Sequence, residues 1–172
     1  MKRSGSRTNR TRPFEERKRI FPAGVRSYYG CAVVRDPELS VTRELVHQHR
    51  GLVASLDHAV ERGTQAARRV FARAMRRHID LEEELVYSVL ADETREECEG
   101  EHAVLRFAVR RFVDAKTKAS LVACARVVRD LLIPHLEREE RVILPALERQ
   151  LGRDRSRVLA RVLRRRFAPA TD

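Results

Sequence analysis

Two segments carry the residues best suited to chemistry, HIDLEEELVYSVL from His78 and HLEREERVILPAL from His135. Each opens on histidine, has Glu-Glu at its fifth and sixth positions, and closes on leucine; the offset is 57 residues (135 − 78). Two further histidines, His49 and His102, stand 53 residues apart (102 − 49). The chain therefore states one pattern twice: a histidine, then His-x-x-x-Glu. Residues four apart on a helix share a face, with Cβ atoms about 5–6 Å from each other. His78 with Glu82, and His135 with Glu139, can thus reach into one cavity. Imidazole and carboxylate donors without thiolate suit iron or manganese and admit zinc.

Helix geometry separates these histidines from the other two. His47 lies about 200° around the helix from His49, and His58 about 180°, so both point to solvent. His49, His78, His102 and His135 fall on apolar stripes, one per predicted helix. A lone histidine on such a face is usually a satisfied core residue; four on four helices, two with a carboxylate one turn on, are better explained by bound cations. An ionised carboxylate inside a bundle costs several kcal/mol unless paired, and no Lys or Arg occurs on both matching faces to pair Glu82 and Glu139. Glu83, Glu84 and Glu140 are rotated off the stripe and read as salt-bridged or solvated. Four imidazoles and two carboxylates suit two ions better than one. If both glutamates bridge, each ion receives two His nitrogens and two carboxylate oxygens; a bridging oxide or hydroxide adds one more donor, and a position stays open.

The elements that position these residues are helices. Asp36 and Pro37 form an N-cap with Pro at the first helical position, and Leu45, His49, Leu52, Val53, Leu56 and Val60 make the first stripe, ending near Gly63. A second helix starts around Thr64, with Ala67, Val70, Phe71, Ala74, His78, Leu81, Glu82, Leu85 and Val89 inward. Thr94 and Glu97 predict a capping box for a third, striped by Cys98, His102, Leu105, Val109 and Phe112. The fourth runs from about Ser120 to Gln150, with Leu121, Val128, Leu131, Leu132, His135, Glu139, Val142, Ala146 and Leu147 inward. Bends are expected at Pro134 and Pro145. Gly152 ends this helix, and Asp154 caps a short fifth whose Val158, Leu159, Val162 and Leu163 cover one end. The fold class is all-α, an antiparallel up-down four-helix bundle over 36–152, followed by a short C-terminal helix and tail over 153–172.

Composition agrees with one helical domain: the 172 residues are 42% hydrophobic and 35% charged, without Trp. Residues 1–30 hold nine Lys/Arg against two Glu, so of the net +11 only +4 (11 − 7) belongs to the rest. Residues 1–35 are read as a disordered basic extension, a possible contact for nucleic acid or an anionic surface, though without aromatic interleaving. No apolar run is long enough to span a membrane. No secretory signal opens the chain. Three scattered cysteines form neither a disulfide framework nor a thiolate site, which predicts a cytoplasmic protein.

The order HQHRGL, HIDLEEELVYSVL, EHAVLRF, HLEREERVILPAL resembles the hemerythrin-like HHE cation-binding domain over about residues 40–150. The resemblance implies a four-helix bundle with a non-heme di-iron centre held by His49, His78, Glu82, His102, His135 and Glu139. Oxygen-carrying hemerythrins have a further histidine where this chain has Arg106, and an aspartate five residues beyond the last histidine, where Glu140 stands. The pattern is closer to the four-His, two-Glu branch, which includes iron–sulfur cluster repair proteins, an iron-sensing ubiquitin-ligase domain and bacterial hemerythrin-like proteins. The repair proteins usually carry a cysteine-bearing N-terminal domain, and the basic extension here supplies no such motif. The expectation is a di-iron protein that binds, senses or reacts with oxygen, peroxide or nitric oxide. Turnover, if present, is peroxide-consuming, catalase- or peroxidase-like. The alternatives are an iron-dependent interaction module without turnover, and a basic nucleic-acid-binding protein whose bundle is structural.

Overall fold

The computed structural model describes residues 38–168. The expected N-cap at Asp36 and the basic extension 1–35 lie outside the described residues. α1 spans Val41–Arg62 and starts at Ser40, whose hydroxyl accepts the Arg43 N–H. Residues 38–40 are not helical, so Ser40 replaces Asp36 as the start. Gly63 closes α1 in the left-handed conformation (φ 63°), and Thr64 caps α2, Gln65–Leu81. The two-residue link makes α1 and α2 antiparallel neighbours.

α2 passes into a π-turn over Glu82–Val86 and a 3₁₀ turn over Tyr87–Val89. α3, Asp92–Asp114, follows an extended Leu90. It begins two residues before the expected Thr94–Glu97 box and has no side-chain cap; Asp92 and Glu93 instead place negative charge at the N-terminal end of its dipole. α4, Lys118–Arg138, opens on a reciprocal Thr117–Ser120 box and carries Pro134 within it. A second π-turn, Glu139–Ile143, leads into α5, Leu144–Phe167, in which two helical segments meet at a kink at the expected helix end, Gly152 (φ 70°, ψ 169°).

α1 packs on α2, α2 on α3 and α3 on α4, α4 closes the ring on α1, and α5 lies against α1 and α2. The lower core is built from Leu52, Leu56, Phe71, Met75, Ile79, Leu105, Phe112, Val128 and Leu132, with Phe71 and Phe112 edge-to-face at 6.0 Å. Leu45, Val86, Tyr87, Cys98, Leu144 and Leu147 are buried on the other side of the histidines along the helices. The polar residues therefore sit between two apolar layers.

The π-turns alter the predicted inner faces. Each adds one residue to a helical turn, so positions beyond it rotate by about 100°. Val142 is 61% exposed and Ala146 is exposed, whereas Ile143 and Leu144 are buried. Val70 is also exposed at 52%; Met75 and Ile79 face the core instead.

Candidate metal centre

His49 lies mid-way along α1, His102 mid-way along α3, and the two His-x-x-x-Glu pairs straddle the junctions where α2 and α4 enter their π-turns. The duplication reaches the backbone: the Tyr87 N–H bonds the Glu82 carbonyl and the Leu144 N–H bonds the Glu139 carbonyl, each five residues back. Pro145 follows only the second π-turn and Ser88 occupies its place in the first, so proline is not the cause of these turns.

All six predicted side chains come together, each buried. They form two groups whose donor atoms lie within 4.8 Å of one another: His49, His78, Glu82 and Glu139; and Glu82, His102, His135 and Glu139. Both glutamates belong to both groups. Glu82 is 3.1 Å from His78 Nε2, 3.6 Å from His49 Nε2 and 3.4 Å from His102 Nε2. Glu139 is 3.4 Å from His49 Nε2 and 3.7 Å from His135 Nε2. Among the described residues, neither carboxylate forms an ion pair with Lys or Arg. His47 and His58 are exposed, as predicted.

The outer ring nitrogens fix the inner ones. His49 Nδ1 faces Glu140 at 2.8 Å, His78 Nδ1 faces Gln48 Oε1 at 3.2 Å, His102 Nδ1 faces Glu83 at 3.0 Å, and His135 Nδ1 faces Glu101 at 2.8 Å. Each partner is an oxygen acceptor, so each Nδ1–H donates and each Nε2 turns inward. The partners obey the duplication as well: Glu83 and Glu140 follow the inner glutamates by one residue, and Gln48 and Glu101 precede the lone histidines by one. Glu83 is anchored by Arg106 at 2.7 Å, Glu101 by Arg138 at 2.7 Å, and Gln48 donates to Glu44 at 3.1 Å. Reading Glu83 and Glu140 as merely salt-bridged or solvated missed this role, and Gln48, Glu101 and Tyr87 were not singled out. Their equal offsets in the repeat were the available signal.

Most of the inward atoms lack partners, Glu139 Oε1 and His102 Nε2 being met by the Tyr87 hydroxyl. Among the described residues, the buried side-chain nitrogens and oxygens without a hydrogen bond are His49 Nε2, His78 Nε2, both Glu82 oxygens and Glu139 Oε2. His102 Nε2 and His135 Nε2 face each other at 3.2 Å, an approach that a shared proton or a metal cation relieves. Leaving such groups unpaired is costly, and cations at the two groups relieve every one of them. The residues fit a metal pair.

This chain belongs to the hemerythrin HHE cation-binding domain family. The family's description, Hemerythrin HHE cation binding domain, matches over residues 40–147, more than half of the chain. No curated protein and no solved structure matches it.

In this HHE domain the buried carboxylates favour the protonated forms of His49 and His102. Burial opposes charge on His49, but Glu139 and Glu82 overcome it and push its pKa up to about 10. Burial likewise opposes, and Glu82 and Glu139 outweigh, the charging of His102, whose pKa is raised. Burial disfavours the Glu82 carboxylate, yet His78, His102 and His49 hold its pKa well below the ordinary range. Burial, then Glu82 and Glu139, push the Tyr87 phenol far above the usual tyrosine range. Burial raises the Cys98 thiol to about 11. No helix among the described residues is long and apolar enough to cross a membrane.

Proposed function

We propose that this HHE domain is a non-heme di-iron protein of the four-His, two-Glu type that binds, senses or reacts with a small oxidant such as oxygen, peroxide or nitric oxide. His49 and His78 hold one ion, His102 and His135 the other, and Glu82 and Glu139 serve both. The reading is carried by the five partnerless buried atoms, all contributed by these residues, together with Nδ1 anchors on all four histidines. Bound iron would supply an electron-transfer and Lewis-acid centre towards the oxidant; the chain's own residues orient the imidazoles, neutralise the ions and keep bulk water out.

Metal analysis of protein expressed in iron-supplemented medium tests this. Close to two irons per chain is expected, and His78→Ala or Glu139→Ala should lose iron. Full iron retention in both variants, or a metal-free wild type, overturns the assignment. A peroxide-consumption assay on the loaded protein distinguishes turnover from sensing.

A further inference from the structure

The duplication breaks at one position beside the six residues. Tyr87 follows Glu82 by five residues, and the residue five after Glu139 is Leu144. The two are equivalent by backbone, since each donates its N–H to the carbonyl of its own glutamate. Both side chains are fully buried. Leucine offers no donor atom, whereas the Tyr87 hydroxyl enters the group formed by His102, His135, Glu82 and Glu139. It hydrogen-bonds Glu139 Oε1 and lies 3.2 Å from His102 Nε2, with its ring stacked on that imidazole at 5.1 Å.

These contacts describe more than a supporting hydroxyl. Neighbouring donors on one ion, with bonds of about 2.1 Å, stand roughly 3 Å apart. His102 Nε2 and His135 Nε2 show that separation at 3.2 Å, and the Tyr87 oxygen stands at the same distance from His102 Nε2. A residue acting only on Glu139 has no need to approach a histidine nitrogen that faces inward.

On the metal-site reading above, on which this rests, we infer that Tyr87 is a seventh protein ligand, binding as a phenolate to the ion held by His102 and His135 and not to its neighbour. The Tyr87 O–H bond breaks as the metal–oxygen bond forms, the proton leaves to solvent, and no oxidation state changes in that step. Glu139 Oε1 is released from its hydrogen bond and turns to the ions. One ion then has five protein donors and the other four, so the His49–His78 ion is the one left open to an exogenous ligand.

The test loads the metal-free full-length chain with ferrous iron without oxygen and then oxidises it in air. Wild type should bind close to two irons and show a visible phenolate-to-ferric charge-transfer band, with resonance-enhanced tyrosine ring vibrations. Tyr87→Phe should keep both irons and lose the band. The chain has three tyrosines, and the double variant Tyr28→Phe/Tyr29→Phe should keep it. Two bound irons without the band in wild type, or a band that survives Tyr87→Phe, overturns the inference and leaves the di-iron reading standing. Failure of wild type to bind iron overturns both.

Discussion

Each of the four inward nitrogens is aimed by a residue that neighbours a different member of the site in sequence, and these aiming residues are not equal. Glu101 presents a carboxylate to His135, anchored by Arg138, whereas Gln48 presents a neutral amide to His78, backed by Glu44 and Arg164. Removing such an outer partner typically costs about 10- to 100-fold in metal affinity. Glu101→Ala should therefore weaken one of the two irons by roughly that factor in a chelator competition, with Glu101→Gln intermediate; equal affinities for Glu101→Ala and wild type would refute the aiming role. The inner residues also predict a pH response. The folded metal-free protein holds His49 protonated well above its ordinary 6.5, so this stabilisation is complete below 6.5 and vanishes as pH rises through about 10. Glu82, depressed in the fold, contributes above the ordinary 4.5 and is lost on acidification. Melting of the metal-free chain should thus fall steadily from pH 6.5 towards 10, while the iron-loaded chain, whose histidines bind metal in place of protons, shows a shallower slope. Indistinguishable slopes would mean that His49 carries no extra proton. The six inner residues were legible in the sequence because one spacing was written twice on apolar stripes. Their outer partners were not, because which carboxylate faces which imidazole depends on how separate helices dock.

At the scale of the element, the four helices were legible from apolar periodicity, and their ends from Gly63 and Thr64; the π-turns were not. A π-turn has no marker residue here, and a 3.6-residue count runs straight through it, which is why Val142 and Ala146 were assigned to the core. The register after the second turn can be checked directly. Ile143→Ala should cost about 2–5 kcal/mol of unfolding free energy, whereas Val142→Ala, on the exposed side, should stay within about 0.5 kcal/mol; the reverse ranking in denaturant titrations would restore the uninterrupted helix. Arg68 was also invisible in advance. It is buried near the start of α2 and donates to the carbonyls of Phe112 at 3.0 Å and of Val113 and Ala115 at 2.8 Å, satisfying the free end of α3. Arg68→Ala should lower stability by roughly 2 kcal/mol, and a change close to zero would show that water replaces the guanidinium.

At the scale of the whole molecule the two halves of the repeat are covered unequally. The family match ends at residue 147, but the chain continues through Gly152, whose φ of 70° suits glycine, and runs on to Phe167. This last stretch buries Leu159, Ala160 and Leu163. Ser156 accepts the Val41 N–H at 3.0 Å, fastening it to the start of α1. Arg164 holds Glu44 at 2.8 Å, and through Glu44 and Gln48 the contact extends to His78. The Phe167 ring closes edge-on over the same imidazole at 6.1 Å. Nothing in the repeat supplies the His102–His135 side with an equivalent cover; it has Tyr87 and Cys98 packed within the bundle instead. On the proposed di-iron reading, the C-terminal helix therefore covers the His49–His78 position. Replacing Phe167 and Arg164 together by alanine leaves the buried leucines of the helix in place, so the fold should persist. The loaded variant should then release one iron to a chelator roughly 10-fold faster than the other, giving a biphasic time course of equal amplitudes. A single phase, or faster loss of both irons together, would mean that the helix stabilises the bundle as a whole and does not guard the His49–His78 position.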